Sequence, residues 1–146
     1  GGIYTGADAK RFMDMGASAV QLGSRFVTTN ECDASLKFKQ SYLKASESDI
    51  EIIQSPVGLP GRAIVSEFLN RVRSGLEKPK SCPFHCIKTC DYTKSPYCII
   101  AALYSAFKGN FRKGYAFAGS NAFRADRITS VKETFKSLLS EMNIKK

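Results

Sequence analysis

Two glycine turns, one helix apart, constrain this chain more than any other feature. The sequence opens on Gly1-Gly2-Ile3 and reaches Gly23-Ser24 at the end of the apolar run Ala19-Val20-Gln21-Leu22. Between them, Thr5 and Asp8 stand at the spacing of a capping box, and Phe12, Met13 and Met15 mix with Lys10, Arg11 and Asp14. Gly16 suits a left-handed stop, so a helix is predicted over Ala7 to Met15. The run 19–22, bounded by Gly16 and Gly23, reads as a short buried strand. Backbone amides at turns and helix starts satisfy the acceptors of a phosphate, and glycine lets the chain come close and adopt positive φ. In (β/α)8 barrels a phosphate site commonly forms from the loops after strands seven and eight, and this order of turn, helix, strand and turn has that spacing. The glycines alone are equally well explained by ordinary turn chemistry.

The rest of the chain reads as helices with a few short strands. A helix is predicted over Asp33 to Ala45, carrying Leu36, Phe38, Tyr42 and Leu43, then a strand over Asp49 to Gln54. Two prolines and two glycines make 55–62 a loop, and Ile64 to Arg73 resumes helical spacing. Residues 75–92 are the least regular. Ser95-Pro96 predicts a helix start, with Gly109 as its stop. The run 115–121 is apolar, ending in a small polar turn, and the last helix opens on Ser130 and Glu133, a second capping box.

Net charge is +9 over 146 residues, but the basic residues are scattered, without the aromatic interleaving or motif of a nucleic-acid binder. No apolar run approaches a membrane span and no leader pattern opens the chain, so a cytoplasmic protein is expected. Five cysteines, an odd number, argue for reduced thiols over a disulfide framework. Cys82, Cys86, Cys90 and Cys98 lie close together around His85, the sole histidine. A helix there would put Cys82, Cys86 and Cys90 on one face. The thiols read either as small apolar groups packed in a core or as ligands of zinc or an iron–sulfur cluster, with His85 as substitute; the Cys-x-x-Cys knuckles of familiar sites are missing. No metal ligand is assigned on this pattern.

The motif Gly1-Gly2-Ile3, followed by Gly16-Ala17-Ser18-Ala19-Val20-Gln21-Leu22-Gly23-Ser24-Arg25-Phe26, resembles the C-terminal barrel half of the nitronate monooxygenase family, long called 2-nitropropane dioxygenases, with flavin-dependent enoyl reductases as relatives. Thr28 to Ser35 resembles the family's continuation, and Ser55-Pro56-Val57-Gly58-Leu59-Pro60-Gly61-Arg62-Ala63 its Gly-x-Pro-(Gly/Ala)-Arg loop. The resemblance implies an α/β chain forming the C-terminal portion of a TIM-type barrel: residues 1–35 as its terminal β/α units, residues 36–146 as a mainly helical region with a cysteine-rich loop over 82–98. It implies FMN, with Gly1, Gly2, Gln21, Leu22, Gly23 and Ser24 around the phosphate, and the N-terminal remainder of the barrel as partner.

Gln21 then reaches the phosphate or ribityl chain, or is a strand group satisfied by backbone. Arg25 clamps phosphate, or pairs with a carboxylate behind the loop. The resemblance further implies a nitronate or a nicotinamide nucleotide as substrate. The family's catalytic histidine sits on an earlier strand or loop, a position that His85 does not match. No catalytic residue is therefore expected here, and the chain alone is expected to be inactive. Two other readings stand beside this one: a basic metal- or nucleic-acid-binding module built on the cysteines, and a non-flavin phosphate-binding barrel enzyme.

Overall fold

A computed structural model describes residues 2–88 and 90–143. Helix α1 spans Gly6–Asp14, and its capping box forms as the sequence predicts: the Thr5 hydroxyl accepts from the Asp8 amide while the Asp8 carboxylate accepts from Thr5. Gly16, at φ +100°, turns the chain away beyond the helix. Helix α2, Ser24–Val27, is one turn that the sequence pattern did not signal. Helix α3, Leu36–Lys44, starts three residues later than expected, because the Ser35 hydroxyl takes the Phe38 amide and sets the cap there.

The sheet comprises β1 (Ile50–Ile53), β2 (Gly61–Ile64) and β3 (Ala116–Phe117), antiparallel in that order. Strand β1 lies where expected. Strand β2 does not: the prolines and glycines of 55–62 predict a loop, and helical spacing resumes at Ile64. Ile64 instead pairs with Ile50, and α4 (Glu67–Arg73) begins only after Ser66, whose hydroxyl accepts from Leu69. Ser95-Pro96 likewise does not open a helix. The Ser95 hydroxyl donates to the Asp91 carbonyl, and α5 runs Ile99–Phe107 from an N-cap at Cys98. Helix α6, Val131–Glu141, has its predicted Ser130–Glu133 capping box, and Glu31 accepts from the Val131 amide as well.

Side chains alternate across a strand, so adjacent residues of β2 feed opposite faces. Ile64 joins Tyr4, Tyr42, Ala116 and Ala118 on one face, while Ala63 joins Phe68, Leu69, Tyr97, Ala102 and Tyr115 on the other. The sheet is thus covered on both sides, by the N-terminal segment with α3 and by α4 with α5. The second face is an aromatic stack, with Tyr97 edge-on to both Phe68 and Tyr115.

The expected buried strand at 19–22 is absent. Ala19 and Gln21 are exposed, and among the described residues no strand runs beside them to take their backbone hydrogen bonds. An apolar run without a ladder partner has no strand to form. The parallel pairing among the described residues is a single bridge, Thr29 to Thr129. No helix among them is long and apolar enough to cross a membrane.

Candidate phosphate-binding turns

The Thr29–Thr129 bridge fixes α2 in place. The Asn30 amide donates to Thr129 O at 2.8 Å, and the Thr129 amide returns a bond to Thr28 O at 3.1 Å. Beneath it Lys39 is only 7% exposed, and its ammonium donates to Thr29 O at 2.6 Å. One of the basic residues that raised the nucleic-acid question therefore serves as an internal strut. On its other side, Phe26 of α2 packs on Phe135 of α6, ring centroids 5.5 Å apart.

Held this way, Ser24 meets a segment almost a hundred residues distant: its Oγ accepts from the Gly119 amide at 2.7 Å. Gly2 reaches the same segment. Its carbonyl accepts from Asn121 Nδ2, and a Cβ at Gly2 would stand 3.2 Å from Ser120 Oγ. Gly2 also sits at φ +83°, where any other residue is strained. The two glycine turns are therefore tied together through Gly119-Ser120-Asn121. That third turn was visible in the sequence only as small polar residues after an apolar run, and pairing of β3 with β2 is what delivers it.

What could this junction hold? Gly23 is the N-cap of α2, and a Cβ built there meets nothing within 4 Å. The first amides of a helix have no partner inside it, so those of Ser24 and Arg25 have none within α2. Ser24 uses only acceptor capacity on Gly119, which leaves its hydroxyl proton to donate. Open space in front of a side-chain-free cap, with amides and one hydroxyl beside it, fits a phosphate oxygen cluster.

Arg25 does not pair with a carboxylate. Its Nη1 donates to the Tyr4 hydroxyl at 3.0 Å, its guanidinium stacks 4.6 Å over the Tyr4 ring, and its Nε is buried without a hydrogen-bond partner. Tyr4 itself is 4% exposed. The carboxylate behind the loop is Asp8, but it pairs with Arg124 at 3.1 Å. Burial pushes the Asp8 carboxyl up, and bonds from the Thr5 and Tyr4 amides, the Thr5 hydroxyl and the Arg124 charge together outweigh it, leaving Asp8 below the ordinary carboxylate value. Arg25 thus clasps α2 to the residue that follows Gly2-Ile3.

Gln21 and Leu22 lie on another feature. With Val20, Phe26, Phe135 and Leu138 they line an apolar groove of about 400 Å³ between α1 and α6. Gln21 is exposed there, not held in a strand. Gly1 lies outside the described residues. His85 is exposed in the irregular segment, at φ +45°. The cysteine segment is irregular, as expected: among the described residues neither helix nor strand occurs between α4 and α5, so Cys82, Cys86 and Cys90 do not share a helix face. Cys86 and Cys90 are exposed and Cys82 and Cys98 half-buried, so none is the fully buried small apolar group that one reading required.

Helices on both faces of a small sheet, with two glycine turns joined through a third turn, define an α/β chain. The chain belongs to the nitronate monooxygenase family, whose sequence profile matches residues 1–141. A probable nitronate monooxygenase of Staphylococcus saprophyticus is 33% identical over 72 residues, which is 49% of this chain and 20% of that protein. Among solved structures, FabK from Thermotoga maritima superposes with a TM-score of 0.75 at 26% identity, over 97% of this chain and 42% of that one. Nitroalkane oxidase from Streptomyces ansochromogenes gives 0.69 at 22% identity, over 97% and 38%. The chain spans well under half the length of each of these relatives.

Proposed function

We propose that this chain is the C-terminal portion of a TIM-type barrel and supplies the turns that hold the phosphate of FMN in an oxidoreductase of the nitronate monooxygenase family. The observation that carries the reading is the junction of Gly2 and Ser24 on the Gly119–Asn121 turn, beside the open space at Gly23. In this reading the amides of Ser24 and Arg25 and the Ser24 hydroxyl bind phosphate oxygens, and Gly23 leaves the space they occupy. Gly1 and Gly2 line the opposite side. Gln21 and Leu22 form the edge of the site, the exposed Gln21 amide turning toward the ribityl chain when the groove beside it is covered. The Arg25 guanidinium acts through Tyr4 and fixes the spacing of the two turns.

When bound, the flavin accepts electrons at its ring from a nitronate or a nicotinamide nucleotide. This chain's residues orient the phosphate end. The sole histidine lies on the cysteine segment, so the base belongs to residues beyond these and the chain alone is inactive. The intact protein is cytoplasmic in this reading, and its partner is the remainder of the barrel.

The full-length protein tests this directly. It is expected to purify yellow, with about one FMN per chain released on denaturation and identified by mass. A colourless protein that takes up no flavin on reconstitution refutes the assignment.

A further inference from the structure

The cysteine segment remains outside the flavin reading and has its own geometry. Cys82, Cys86, Cys90 and Cys98 all line a single small cavity, together with Pro56, Val57 and Tyr97. Its volume is about 20 Å³, room for about one water-sized body. Apart from the hydroxyls of Ser81 and Ser95, every polar atom that side chains bring to the lining is sulfur or the phenol oxygen of a tyrosine. We propose that these four cysteines form a thiolate site for one zinc ion.

Three further observations support it. The stretch between α4 and α5 has no helix or strand among its described residues, yet it leaves Leu76 72% and Phe84 48% exposed. A segment of that length without a core of its own needs a staple, and a structural ion is one. Cys98 is the N-cap of α5, where the helix dipole favours a thiolate. A four-thiolate zinc site carries two negative charges, and the segment supplies Lys78, Lys80, Lys88 and Lys94 against Glu77 and Asp91.

The choice of metal follows from donors and space. All-sulfur ligands select zinc or iron–sulfur chemistry, and a cavity for about one small body admits one ion and not a four-iron cube. Among the described residues no three ligating side chains already stand in a metal-holding arrangement. The loop therefore closes on the ion, as small thiolate sites do. On closure each thiol gives its proton to solvent and its sulfur lone pair to zinc, with no change of oxidation state.

The test is metal analysis of the full-length protein, purified with reductant from zinc-replete medium, with cobalt substitution as a second readout. About one zinc per chain is expected, and cobalt in its place gives the visible bands of a tetrahedral thiolate site. Cys86→Ser, at an exposed position, lowers zinc affinity at least about tenfold, whereas Cys32→Ser, outside the cavity, leaves it unchanged. Absence of zinc, zinc indifferent to Cys86→Ser, or iron with sulfide in its place overturns the proposal. Flavin content is read in the same samples and is independent of the outcome.

Discussion

Ser24 serves two neighbours, and its substitution separates them. The hydroxyl accepts from the Gly119 amide and keeps its proton for a phosphate oxygen. Ser24→Ala is therefore predicted to lower stability by about 1 kcal/mol in urea denaturation and to weaken FMN binding by a similar amount. Weaker binding with unchanged stability would place Ser24 on the ligand alone. Asp8 gives a pH signature. Its lowered carboxyl value means that its contribution is fully present above the unfolded carboxylate value, near pH 4, and is lost as pH falls through the lower folded value. Asp8→Asn should flatten that acid limb of the stability curve. An unchanged slope would show that the bonds from Thr5 and Tyr4 do not stabilise the charged form.

At the scale of elements, legibility followed range. The capping boxes of α1 and α6 were readable because Thr5 with Asp8 and Ser130 with Glu133 act across three residues and each precedes an amphipathic run. A third, Ser46 with Asp49, caps only a single turn and was not signalled. Strands β2 and β3 were not, because what makes them strands is pairing with residues far along the chain. The run at 19–22 failed for the converse reason: its composition suits a strand, but among the described residues it has no ladder partner. The site divided in the same way. Gly2 and Ser24 were legible as turns, whereas Gly119 and Asn121, which join them, were not. Gly6 shows what the helix packing demands. It lies where α1 crosses α6, its amide donates to Glu141 at 2.8 Å, and a Cβ there would collide with the Leu138 carbonyl oxygen. Gly6→Ala is predicted to cost about 1–3 kcal/mol by overpacking, read as a lower urea midpoint. No loss would mean that the two helices separate easily.

For the whole molecule, the net charge of +9 proves less telling than its placement. Lys39 is buried under Thr29, Arg71 binds Glu67 and Glu77, Arg73 binds Glu51, and Arg25 and Arg124 flank Tyr4. These five of the 22 basic residues brace the fold and the two turns. What the molecule presents outward is the opening at Gly23, and the account stands on a phosphate occupying it. The decisive measurement is equilibrium binding of FMN and of riboflavin to the full-length apoprotein and its Gly23→Val variant, followed by flavin fluorescence. The wild type should favour FMN over riboflavin by at least about tenfold, or 1.4 kcal/mol, and Gly23→Val should erase that preference. A Gly23→Val protein that still favours FMN as strongly as the wild type would contradict the account.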